Sequence, residues 1–238
     1  MTIKRIVSFV LAFLLISALL SAQSIPPKAI TSSTVVGIVP PTPLPIQKPC
    51  IMGSLAAYIA LGAEGCTFNN AVYANFSYSG SVAASAVGTA SITTAQIIVT
   101  PVPTGPIVGP YSPGLTFSAH WQAASGQTMV STIHYTITPI VASTAARSGL
   151  LTLQLGQAQV FGIFGNVAVQ EITNAGSLSV GEKCTEVCSI RQSDSLEFSP
   201  MQPLVVTDTV MLTGGMAGAS LNSFTAGFNS CLQCAEPL

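Results

Sequence analysis

Hydrophobic and polar positions alternate with a period of two over much of the chain, most cleanly from Gly114 to Pro139. Leu115, Phe117, Ala119 and Trp121 share one parity, while Thr116, Ser118, His120 and Gln122 take the other. Beyond the short stretch Ala123-Ala124-Ser125-Gly126-Gln127, Ile133, Tyr135 and Ile137 alternate with Thr132, His134, Thr136 and Thr138. Two runs rich in β-branched and aromatic residues, joined by a Gly-containing turn, predict a β-hairpin with one face on a core and the other in water. If Gln122 faces Thr128 across that turn, Thr116 faces His134 and His120 faces Val130. Trp121 then lies in the core on the face of Phe117, across from Met129.

Comparable runs predict strands at Val72–Tyr78, Gln96–Pro101, Leu150–Leu155, Val167–Thr173, Ser177–Cys184, Ser189–Phe198, Leu204–Leu212 and Ala217–Phe228. Gly or Pro separates most of them, and Gly156–Asn166 reads as a loop or a distorted strand pair. Ser54 to Gly62 is the one helical stretch: Ser54 suits an N-cap, Leu55, Tyr58 and Ile59 fall on one face, and Gly62 ends it. With no alternating helices, the pattern predicts an all-β fold, an antiparallel β-sandwich of about 9–11 strands with one short N-terminal helix.

The N-terminus changes the picture. Lys4 and Arg5 precede an apolar run from Ile6 to Leu20 and then Ser21-Ala22, the layout of a signal peptide over residues 1–22. That run is shorter than the roughly 20 residues a membrane span needs, so cleavage is expected, with no span left in the mature chain. Residues 23–49 hold seven of the 16 prolines and form a Pro-rich leader or linker, in which Val35–Val39 could add an edge strand. A single β-sandwich domain is expected over residues 50–238. Its charge content is low: the chain is 6% charged and 49% hydrophobic. So few lysines and arginines cannot build the positive patch that nucleic acid requires.

All six cysteines, Cys50, Cys66, Cys184, Cys188, Cys231 and Cys234, follow the signal. An even count in an exported chain favours disulfides, and the clustering suggests local pairs 50–66, 184–188 and 231–234. A 50–66 bridge would clamp the short helix, which at two turns is marginal alone. The rival is a zinc site on the four thiolates of the two later clusters, against which stand the long gap between them and the oxidising compartment.

Several residues carry a resemblance. They are Cys50, the run Ser54-Leu-Ala-Ala-Tyr-Ile-Ala-Leu-Gly62, Gly65-Cys66, Asn75-Phe-Ser-Tyr78, the Leu115–Tyr135 region with Trp121, and the tail from Asp194 through Phe198, Leu204 and Asp208 to Phe228. Together they resemble uncharacterised exported β-sandwich proteins of environmental bacteria, notably acidobacteria, related to the ectodomains of PEP-CTERM-sorted proteins. The chain ends in Cys234-Ala-Glu-Pro-Leu238 without the sorting motif, so retention by that route is not expected. The resemblance implies a fold and an exported location, and no activity.

Candidate chemistry is sparse. His120 and His134 would stand four residues apart along the hairpin, roughly 13 Å at about 3.3 Å per residue, too far to share a metal. No G-x-S-x-G, S-x-x-K or H-E-x-x-H occurs. Asp194 and Glu197 point to opposite faces of a strand, and Glu182 and Glu186 flank the 184–188 loop as rim charges. Asp208, inside the apolar run Leu204–Leu212, is either a buried acid or an outward-facing one. No catalytic, cofactor or metal residue is assigned. The expected function is that of a secreted, noncatalytic surface, matrix or adhesion protein meeting the cell envelope or a polysaccharide surface. The alternative, a carbohydrate-binding or carbohydrate-processing domain, rests on analogy of fold.

Overall fold

The computed structural model describes residues 48–83, 91–103, 113–140, 149–198 and 202–230, all within the compact unit Pro45–Leu238. The signal peptide, most of the Pro-rich leader, Val35–Val39 and the Cys231–Cys234 pair lie outside the described residues. In chain order the elements are β1 (Gly53–Ser54), α1 (Leu55–Ile59), β2 (Cys66–Phe68), β3 (Ala71–Ala83), β4 (Ile98–Val102), β5 (Gly114–Ala123), β6 (Thr128–Pro139) and β7 (Gly149–Leu155). They continue with β8 (Ala158–Val160), β9 (Asn166–Thr173), β10 (Gly176–Cys184), β11 (Cys188–Arg191), β12 (Ser193–Phe198), β13 (Leu204–Thr213) and β14 (Ala219–Ser230). The first sheet runs β11-β10-β9-β13-β6-β3-β2 and the second β1-β4-β5-β14-β7-β12, with β8 also on β14. All strand pairings are antiparallel, so the all-β sandwich with one short helix is the observed fold. No described helix is long and apolar enough to cross a membrane.

At the N-terminal side, the Ser54 side chain accepts a hydrogen bond from the Ala57 amide, capping α1. Leu55 and Tyr58 are buried, and Gly62 closes the helix at φ 57°. The Cys50–Cys66 disulfide ties the segment before the helix to β2, and Cys184–Cys188 closes the tight β10–β11 connection, with its two residues directly paired across the strands. Two disulfides mark a chain that folds in an oxidising compartment.

The hairpin expected at Gly114–Pro139 is not formed. β5 pairs with β4 and β14 in the second sheet, whereas β6 pairs with β3 and β13 in the first. The turn between them is an arch from one sheet to the other. Parity cannot separate the two cases, because one apolar face per strand serves a hairpin over a core and an arch around a core equally well. What holds the arch is a second one beside it, between β13 and β14. The Gly126 amide donates to the Gly215 carbonyl and the Gly214 amide to the Gln127 carbonyl, each 2.9 Å. A Cβ on Gly214 would run into the Ala124 carbonyl, so only glycine lets the arches meet this closely. The predicted strand Ser189–Phe198 likewise divides: β11 closes the first sheet, β12 edges the second, and the chain changes sheet at Gln192.

Side chains from the facing sheets fill the space between them. Trp121, Phe117, Leu115, Phe224 and Phe228 come from the second sheet and Tyr73, Tyr135, Ile133, Val206 and Val210 from the first, all almost fully buried. Phe117 stacks on Phe224 at 5.1 Å between ring centroids and reaches across to Tyr135 at 5.9 Å. A bulge in β3, where Asn75 and Phe76 oppose the single residue Tyr135, shifts parity so that both Tyr73 and Phe76 face inward.

Candidate functional site

The one concentration of acid–base groups among the described residues lies inside the sandwich. Following the first sheet's register, the inward row reads Leu178, Glu171, Asp208, Ile133 and Tyr78, from β10 to β3. Glu171 and Asp208 are therefore direct cross-strand partners, and both are sealed, at 1% and 0% exposure. Burial pushes the Asp208 carboxyl up to about 7, partly offset by its interactions with the Tyr135 hydroxyl and Glu171. Burial also raises Glu171 well above the usual carboxylate range, and the neighbouring Asp208 raises it further. Tyr135 and Tyr73 are pushed up in turn, first by burial and then by these acids. Both Asp208 oxygens, one Glu171 oxygen and the Tyr73 hydroxyl have no partner in strict hydrogen-bond geometry. A substrate outside the sandwich cannot reach these groups.

Asp208 is thus the buried alternative of the two the sequence left open, sharing parity with Val206, Val210 and Leu212. Glu171 escaped the sequence reading, although a signal was there. Carrying the parity of Val167 and Val169 two residues further turns Glu171 inward and Ile172 outward, and Ile172 is indeed exposed.

The histidines fall on different sheets, so the 13 Å hairpin separation does not apply. His134 sits on the outer face of the first sheet, its Nδ1 2.9 Å from Thr207 Oγ1. His120 stands on the second sheet at a bulge, where Ala119 and His120 oppose Asn222. There it lines a pocket of about 420 Å³ beside the arch, with Gln122, Ser220, Phe161, Met129 and Ile92 among the other walls. Gln122 and Ser220 are cross-strand partners. Phe161 is 41% exposed, and its amide bonds to the Gly218 carbonyl, which fixes the pocket's outer wall.

Asp194 and Glu197 do point apart: Asp194 is half-buried, takes the Ser179 amide at 2.9 Å and pairs with Arg191, whereas Glu197 is exposed. Glu182 lies beside Cys184 and Cys188, but those sulfurs are bonded to each other and offer no thiolate to a metal. Glu186 is exposed, as a rim charge should be.

No protein-family model and no curated protein matches the chain. Among solved structures, it is similar to the enzymatically active domain of bacteriophage CBA120 tailspike protein 4, at 12% identity and a TM-score of 0.27, over 66% of this chain and 19% of that one. It is also similar to TmCBM61, solved in complex with β-1,4-galactotriose, at 11% identity and a TM-score of 0.24, over 63% of this chain and 86% of that one. The chain thus spans about a fifth of the length of the tailspike domain it matches. Neither likeness is close enough to carry an argument about fold or function.

Proposed function

We propose that the chain acts outside the cell or at its surface as a noncatalytic surface, matrix or adhesion component that meets uncharged partners. The observation that carries this reading is the outer face of the first sheet. Ser79, Thr132, Thr209, Gln170 and Ser179 form one row across five adjacent strands, and Ser77, His134, Thr207, Ile172 and Ser177 form the next. His134 is the one ionisable side chain in these two rows, so the face offers hydroxyls and amides without a field that would favour charged partners. The disulfides and the signal-like N-terminus support export.

A second reading, carbohydrate binding, is favoured by the arch pocket. An exposed aromatic ring, Phe161, stands there beside His120, Gln122 and Ser220, the mix of apolar wall and polar groups on which sugar recognition depends. One experiment separates the two. The full chain is tested for retention on purified cell envelope and on neutral and anionic polysaccharides, beside the variants Thr132→Lys/Thr209→Lys and Phe161→Ala. The surface reading expects retention on an uncharged surface that the lysine pair abolishes and Phe161→Ala leaves intact; the opposite pattern supports the pocket. Turnover of a polysaccharide by the purified chain would overturn the noncatalytic reading.

A further inference from the structure

We propose that Glu171 and Asp208 form a proton-binding site in the core: they hold a shared proton in the folded state, and its release weakens the first sheet, so that the sandwich is favoured in acid. Residues directly opposite on antiparallel strands have Cβ atoms roughly 4.5–5.5 Å apart, and two like charges there repel. Here the repulsion would act at 1% and 0% exposure, away from the screening of bulk solvent.

Among the described residues, the surroundings supply no counter-charge. Tyr135 of β6 and Tyr73 of β3 face the pair from their own sheet, and from the opposing sheet Phe117 packs on Tyr135. The other charges among the described residues are engaged or face elsewhere. Asp194, on the edge of the opposing sheet, is held by Arg191 and the Ser179 amide; Glu182 sits by the disulfide; His134 is outside, on Thr207. Lys48, Lys183 and Arg191, the described basic side chains, are exposed. The Tyr73 hydroxyl is a second, separate sign: it is buried, without a partner, and feels the Glu171 carboxyl. A proton is the ligand that satisfies this cluster without added volume, because it turns one carboxylate into a donor for the other.

The sign follows. Both carboxyls bind their protons more tightly when folded than when unfolded, where they titrate near about 4. Their contribution to stability is therefore full below that value. It is lost progressively as pH rises through the folded values, about 7 for Asp208 and raised well above the usual range for Glu171. Each proton taken up on folding lowers the folding constant by about tenfold per pH unit.

Chemical unfolding of the full oxidised chain tests this. From about pH 5 to about pH 8 the folding constant should fall at least about tenfold, and Glu171→Gln/Asp208→Asn should flatten most of that slope while raising stability at the alkaline end. A wild-type constant that stays level or rises with pH overturns the proposal, as does a double variant that keeps the slope. Should the double variant fail to fold, infrared difference spectroscopy of the wild-type chain decides: a protonated carboxyl band persisting at neutral pH supports the shared proton, and its absence sinks it.

Discussion

Trp121 fills the middle of the sandwich with 0% exposure, 5.9 Å from the Phe224 ring, and its indole nitrogen has no hydrogen-bond partner. Its value is thus all packing, reduced by one buried N–H. Trp121→Ala should cost roughly 3–5 kcal/mol, a large share of a typical total of about 5–15 kcal/mol. Trp121→Phe should cost clearly less, because it also removes the unpaired donor. His120→Ala, next in the chain but exposed at the pocket rim, should stay within about 0.5 kcal/mol. Urea unfolding of the three variants measures the contrast; a harmless Trp121→Ala would contradict the packing. Parity made Trp121 readable from the sequence, because a large ring among Leu115 and Phe117 has one face to go to. Its cross-strand partner was not readable: Leu221 occupies that place and Met129 does not, since the partner depends on which strand lies alongside.

At the level of elements, the alternation located nearly every long strand within a few residues, and the helix with its cap and its disulfide. It missed β1 and β2, two and three residues long, which are too short to show a period. It also joined what belongs apart, fusing β11 with β12 and folding β5 back on β6. Both errors have one cause: a strand's apolar face states that a core exists, and says nothing of which sheet bounds it. The candidate site suffered similarly. Asp208 was visible as an oddity in an apolar run, but its meaning needed β9 beside β13, a pairing between residues far apart in sequence. The arch itself can be tested. Thr116 and Thr225 hydroxyl oxygens lie 2.7 Å apart across β5 and β14. A Thr116→Cys/Thr225→Cys chain should therefore form a cross-link on mild oxidation, detected by peptide mapping. Thr116→Cys/His134→Cys, the pair a hairpin would bring together, should not; if it does, β5 and β6 share a sheet after all.

For the whole molecule, the order of strands in space runs against the order in the chain. The last two strands lie at the centres of their sheets: β13 bridges β9 and β6, and β14 bridges β5 and β7. Until they are present, each sheet is two separated halves with long unpaired edges, and the core residues Leu204, Val206, Val210, Leu221, Phe224 and Phe228 are missing. The acid pair cannot assemble either, since Asp208 arrives on β13. Such non-local pairing predicts slow folding, on the order of milliseconds to seconds, that waits for the C-terminal strands. A chain truncated after Pro203 should accordingly show no cooperative unfolding transition and little near-ultraviolet circular dichroism, although it retains every earlier strand. A chain truncated instead after Ser230, with both central strands intact, should unfold cooperatively. If the shorter chain also gave a single sharp transition, the sheets would be stable as halves, and the central placement of β13 and β14 would not control folding.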